Sequence, residues 1–405
     1  MTPRRRTELS VGRKILFTVV VIGCVCLAIE GVARIAWWRL ERQSLKTHYM
    51  RGEAVLNNDA INYMKVADGL YGYQMKPGFR NEHNSINSQG FHQREEIPVK
   101  RVPGSLRIVC LGESTTFGST DLTNYPAFLR RILETRAIGF RQYEVINAGV
   151  PGWLSDQVAL RVQHQIAQFK PDAAILYVGW NDFQGYDPRL PLATESAFAL
   201  GFGLTPWRQY ARSASRAVAI LSALYERRRH QPTPDDYREA DAHSTPPDQR
   251  YRFLVRHLDD IVHYLKAANP QTKIFVSTLV GLWPQGTPEA WKKMQVPWFV
   301  SRHKLAPDET ARYLRELNDQ LRQFTASHDA TLIDMAAIFD PLDRTRLQWD
   351  FAHMYADGYE LMALSMFEAL RASGVVKGEA SQRYQGLLTA YRLSAAATTT
   401  APQLQ

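Results

Sequence analysis

Residues 107–118 read RIVCLGESTTFG. Arg107–Leu111 is a short apolar run without polar alternation, and Gly112-Glu113-Ser114 comes directly after it. An unalternated run of this length predicts a strand covered on both faces, the environment of a parallel sheet. The glycine predicts a sharp turn that presents the next residues at the carboxyl end of the strand, where ligands bind in open α/β sheets. Four further runs have the same character: Tyr143–Asn147, Ala173–Val178, Lys273–Leu279 and Thr331–Met335. Amphipathic stretches alternate with them, at about Tyr125–Arg136, Ser155–Phe169, Gln249–Ala268, Asp308–His328 and Asp357–Ala372. Strand alternating with helix predicts an α/β fold built on a doubly wound, mainly parallel sheet.

The segments at the carboxyl ends of these strands carry the chemistry. The first strand leads into Gly112-Glu113-Ser114, the second into Asn147-Ala148-Gly149-Val150-Pro151-Gly152, and the third into Gly179-Trp180-Asn181-Asp182. Beyond the last strand and a helical turn stands Asp350-Phe351-Ala352-His353, just before a helix. Each piece alone reads as a turn or a helix cap. Together, in this order and at strand ends, they supply a nucleophile, a base and oxyanion donors. A serine hydroxyl becomes a useful nucleophile only when a positioned base takes its proton. His353 is the candidate base for Ser114, and Asp350 would fix its tautomer and stabilise the imidazolium. A tetrahedral oxyanion needs donors already in place. The N–H of Ser114, the N–H of Gly149 and the amide of Asn181 are the candidates. Asp334, at the end of a strand, is a rival for the acid, whereas Asp182 reads as a structural hydrogen-bonding group.

This set resembles the SGNH (GDSL-type) hydrolases over about residues 105–372, with all four of that family's blocks present. The resemblance implies a three-layer α/β/α catalytic domain. It makes Ser114 the nucleophile, Gly149 and Asn181 oxyanion residues, and Asp350 and His353 the final Asp-x-x-His block. Glu113 departs from the family's name, which places an aspartate there. The apolar N-terminus and Ile86-Asn87-Ser88-Gln89-Gly90-Phe91 are also similar to membrane-anchored bacterial members, in which an Asn-x-x-Gly-Phe segment precedes the catalytic domain.

The 405 residues carry a formal charge of +9, which invites a nucleic-acid reading. Residues 1–51 hold ten basic and three acidic side chains, so +7 resides there and the remaining 354 residues are nearly neutral. Such a body is a poor partner for a phosphate backbone. The charged segment brackets ILFTVVVIGCVCLAI at Ile15–Ile29, and apolar character resumes beyond Glu30 as far as Trp38. About 20 apolar residues cross a bilayer core as a helix. Glu30 and Arg34 stand four apart and can pair, and Trp37 and Trp38 suit the interface. A retained signal anchor is expected. A cleaved signal peptide and a lipoprotein signal at Val21-Ile22-Gly23-Cys24 are the alternatives, but no cleavage site precedes a polar start and the apolar run continues past Cys24.

The expected organisation is a basic cytoplasmic segment at 1–14, a transmembrane anchor at 15–38 and a connector at 39–104. A catalytic domain at 105–375 with an insertion at 184–247 comes next, and then a partly disordered extension at 376–405. The basic flank predicts a bacterial inner-membrane protein crossing once, with its body outside the cytoplasm. Three cysteines exclude a disulfide scaffold. No histidine or cysteine spacing suits a metal, and no phosphate loop is present, so neither metal nor cofactor is expected. Trp283, Trp291 and Trp298 could line a carbohydrate or acyl pocket or pack a small lid. The expected partner is an acyl ester, with a carbohydrate as one candidate carrier. The activity expected first is an esterase acting through an acyl-serine. An O-acyltransferase with the same triad and an inactive glycan-binding protein are the rivals.

Overall fold

The computed structural model describes residues 10–50, 64–68, 70–185, 215–218, 220–221, 251–281, 307–349 and 351–393. Five strands form one sheet: β3 (Ser105–Gly112), β5 (Gln142–Asn147), β6 (Ala173–Tyr177), β7 (Lys273–Ser277) and β8 (Ala330–Ile333). Their spatial order is β5-β3-β6-β7-β8, and every pairing is parallel. All eight residues of β3 are buried, as its unalternated sequence requires. The chain runs from β3 to one neighbour, β5, and then crosses to the other, β6. The carboxyl end of β3 is therefore the switch point of the sheet, and Ser114 sits two residues beyond it.

The helices flank this sheet. α1 (Val11–Met50) precedes it, and α2 (Ser114–Phe117) is a single turn directly after β3. α3 (Tyr125–Arg136) packs on β5 and on α9 (Ala356–Ala372). α4 (Ser155–Arg161) packs on α6 (Arg252–Ala268). In the chain, α5 (Trp180–Gly185) lies between α4 and α6, and α7 (Pro307–Ser327) and α8 (Met335–Phe339) lie between α6 and α9. α6 illustrates the local cause: Leu254, Leu258, Ile261 and Leu265 recur at spacings of three and four, and all four are buried.

Two boundaries differ from the sequence reading. The segment expected as a connector joins the fold from Met64 onward. Its hairpin of β1 (Lys65–Asp68) and β2 (Gly72–Met75) is antiparallel, and Met64, Tyr71, Tyr73, Met75, Ile86 and Phe91 lie in the main hydrophobic core. Its polar, turn-rich composition hid these widely spaced anchors. At the other end, β9 (Lys377–Gly378) pairs with β4 (Ala137–Ile138), and α10 (Gln382–Ala390) packs on α9. The extension is thus part of the domain as far as Leu393, whose N–H donates to the carbonyl of Pro341. Residues from Ser394, and most of 184–247, lie outside the described residues.

Among the described residues one helix is long and apolar enough to cross a membrane, Val11–Ala36 within α1. Most of its apolar side chains are not covered by protein: Leu27 is 74% exposed and Phe17 67%.

Candidate active site

Ser114 is the first residue of α2 and stands partly exposed among buried neighbours. Its Oγ is hydrogen-bonded to Nε2 of His353 at 2.8 Å, across 239 residues of sequence. His353 is also partly exposed. It lies in a loop closed by the bridge between Gln348 and Met354, just before α9. The N–H of Trp349 donates to the His353 carbonyl at 3.1 Å, and the Trp349 ring stacks on the imidazole with centroids 5.2 Å apart. The Thr115 hydroxyl donates to the Ala352 carbonyl at 3.3 Å, which ties the nucleophile turn to the histidine loop. Asp350, the expected acid, lies outside the described residues, as do Trp283, Trp291 and Trp298. Asp334 is engaged elsewhere. It caps α8, and its carboxylate accepts from Arg322 and from the Thr278 hydroxyl.

The third block is positioned by the first. Glu113 is wholly buried, and its Oε1 accepts the N–H of Gly179 at 2.8 Å. Burial pushes its carboxyl well above the usual range, with Asp182 adding to the effect. The Glu113 carboxyl thus holds the turn that leads into α5. Asn181 is 6% exposed on α5, and one of its amide N–H groups donates to the Trp153 carbonyl at 2.7 Å. That bond sets the plane of the amide and leaves its second N–H as a donor. Next to it, the Ser155 hydroxyl donates to Asp182 at 2.5 Å and accepts from Nδ1 of His257 at 2.8 Å. Burial raises the Asp182 carboxyl to about 7, opposed by those Ser155 bonds.

The second block places its glycines differently from the sequence reading. The N–H of Gly149, expected as an oxyanion donor, donates instead to Oδ1 of Asn147 at 3.1 Å. A Cβ on Gly149 would stand 2.3 Å from the Phe117 nitrogen and 2.8 Å from the Thr116 carbonyl carbon. Gly149 is therefore a spacer that lets this loop lie against the backbone of α2. Three residues on, Val150-Pro151-Gly152-Trp153 closes a turn, with the Trp153 N–H donating to the Val150 carbonyl at 3.2 Å. Gly152 has φ +84° there, the conformation that a type II turn needs at its third position. Among the described residues the Gly152 N–H has no acceptor. The signal for this turn is present in the sequence, because Pro-Gly marks it, but which of the two glycines keeps an unspent N–H depends on the turn geometry.

This loop is held from three sides. The N–H groups of Ala148 and Val150 donate to the carbonyls of Cys110 and Gly112 at the end of β3. The N–H of Asn147 donates to the Gln93 side chain, and its amide donates to the Phe117 carbonyl. The Asn87–Phe91 turn behind it is fastened by Oδ1 of Asn87, which accepts from the N–H groups of Gln89 and Phe91. Arg161, buried against Phe91 and Trp153, donates to the carbonyls of Ala148 and Gly90.

No group of three or more acidic, histidine or cysteine side chains among the described residues could hold a metal ion. No curated protein matches the chain. Among solved structures, a lipase/acylhydrolase from Enterococcus faecalis is 16% identical, covering 68% of this chain and 100% of that one at a TM-score of 0.41. An acetyl xylan esterase from Geobacillus stearothermophilus is 15% identical, covering 66% and 94% at 0.38. The model of the GDSL-like lipase/acylhydrolase family matches residues 110–361, more than half of the chain, from within β3 to within α9. The chain belongs to that family and is an ester-hydrolysing enzyme of the SGNH type.

Proposed function

We propose that the protein is a membrane-anchored serine esterase that removes an O-acyl group from a glycan or a lipid through an acyl-Ser114 intermediate. The observation that carries this reading is the 2.8 Å bond from the Ser114 hydroxyl to Nε2 of His353. In the proposed reaction His353 takes the hydroxyl proton as Ser114 Oγ attacks the ester carbonyl carbon. Asp350 orients the imidazole and stabilises its charged form. The N–H of Ser114, the N–H of Gly152 and the free amide N–H of Asn181 receive the oxyanion, with Gly152 replacing Gly149 in that role. Collapse of this intermediate expels the alcohol, which takes the proton from His353. Water then attacks the acyl-serine by the reverse sequence and releases the acid.

The anchor in this reading is α1, retained in a bacterial inner membrane. The basic residues ahead of it favour a cytoplasmic N-terminus and an extracytoplasmic body. The near-neutral body suits an uncharged ester. The test is labelling of the full-length protein with a fluorophosphonate, together with hydrolysis of acetyl and longer-chain esters. Labelling and hydrolysis are expected for the native enzyme, and Ser114→Ala should lose both. Full activity in Ser114→Ala would refute the proposal. Acylated glycan in excess of free acid, with a glycan acceptor present, would reassign the enzyme as an acyltransferase.

A further inference from the structure

Glu30 interrupts the apolar part of α1, and its carboxylate is bonded by groups some 185 residues away in the chain. Oε2 accepts from the Ser215 hydroxyl at 2.7 Å and from the Ala217 N–H at 3.2 Å. Oε1 accepts from the Arg216 N–H at 2.9 Å and from Nε of Arg34 at 2.9 Å. Ser215 Oγ in turn accepts the Val218 N–H at 3.2 Å, which starts a helical turn there. Among the described side chains of α1, cover is concentrated at this point. Ala33, on the same face as Glu30, is 7% exposed, whereas Val32 and Ile35 beside it are 69% and 60% exposed. The sequence that continues from Ala217 is AVAILSAL, with one serine in eight residues. Val218 and Leu221 within it are 38% and 65% exposed.

A carboxylate within a membrane span is costly unless it is paired, and so is a backbone N–H without an acceptor. Here each satisfies the other, and Val32, Ile35, Val218 and Leu221 remain exposed. In water this arrangement would leave two apolar surfaces exposed; in lipid it leaves none of the interacting polar groups without a partner.

We infer that the insertion carries a second membrane-embedded segment, beginning at Ser215 and docked on α1 through Glu30. The inference rests on the reading of α1 as a retained anchor. Its partner surface is the chain's own span, with lipid around it. The insertion leaves the catalytic body at the end of α5, four residues after Asn181.

The test uses the full-length protein in opened membrane vesicles, with Cys24 and Cys26 replaced by serine. Leu221→Cys is labelled with a membrane-impermeant maleimide, beside Leu122→Cys on the exposed surface of the catalytic body as the control. Labelling at position 221 is expected to be at least about tenfold slower than at 122. Glu30→Leu should abolish most of that protection, and Glu30→Gln, which still accepts hydrogen bonds, should retain part of it. A cysteine pair at Ala33 and Val218 should form an internal cross-link with a short bis-maleimide, and Glu30→Leu should lose it. Equal labelling at both positions and no cross-link, in a chain that resists carbonate extraction, would overturn the inference and leave the anchor standing. A chain released by carbonate, or shortened at its N-terminus, would overturn the anchor reading and the inference with it.

Discussion

The phenol hydroxyl of Tyr73 donates to the carbonyl of Pro151 at 2.8 Å, and the indole N–H of Trp153 returns a bond to the Tyr73 carbonyl at 3.0 Å. The hairpin between the apolar helix α1 and the central sheet thus grips the turn that contains Gly152. Tyr73→Phe would leave the buried Pro151 carbonyl without that donor at a cost of about 1–2 kcal/mol. Because the turn positions a proposed oxyanion donor, kcat is expected to fall about tenfold while KM changes little. Steady-state kinetics beside thermal unfolding check this. A loss of stability with unchanged kcat would make the bond structural only.

Asn181→Ala removes a side-chain donor whose plane is set by Trp153. The expected result is a fall in kcat on the order of 10²–10³, as for other single oxyanion donors. Fluorophosphonate labelling should slow in parallel, because phosphonylation passes through a similarly charged state. An unaltered kcat would remove Asn181 from the proposed mechanism.

Gly149→Ala tests the assignment of that residue as a spacer. The added methyl would meet the backbone of α2 at 2.3 Å, and backbone cannot move aside as a side-chain tip can. Destabilisation of about 3 kcal/mol is expected, visible as a lower denaturant midpoint. A stable variant with selectively lowered kcat would return Gly149 to the oxyanion role.

Asp182 connects stability to pH. Burial raises its carboxyl to about 7 from an ordinary 3.8. A carboxyl raised on folding contributes its full stabilisation below the unfolded value and loses it as pH rises through the folded one. Stability should therefore fall between about pH 4 and pH 7, with Asp182 contributing at most about 1.4 kcal/mol per pH unit. Asp182→Asn keeps an acceptor for Ser155 and cannot ionise, so its unfolding midpoint should decline less over that window. Equal slopes for the two proteins would contradict the assignment. Glu113, also raised by burial, adds to the decline in both proteins.

The sheet was legible because its strands are covered on both faces and so carry unbroken apolar runs. The five central strands stand where those runs lie. β1 and β2 were not legible. They are four residues each, and among their described side chains only Tyr73 and Met75 reach the core. The role of Glu113 was hidden for a different reason. A glutamate in a sequence gives no sign that it is wholly buried and holds the N–H of a strand end 66 residues away. Asp182 reads as a structural group, and its bonds to Ser155 fit that reading, although the link to His257 was invisible.

The amino-acid sequence by itself determined the strand-helix alternation, the position of Ser114 beyond the first central strand, the apolar N-terminal helix and the placement of the charge. Each depends on local order along the chain, which periodicity and composition record. The tertiary structure decided which groups meet: Ser114 with His353, Gly149 with α2, Asn181 with Trp153, Tyr73 with Pro151 and Glu30 with Ser215. Those pairings depend on burial and on which donors remain unspent. Such properties arise only when segments distant in the chain exclude water from one another.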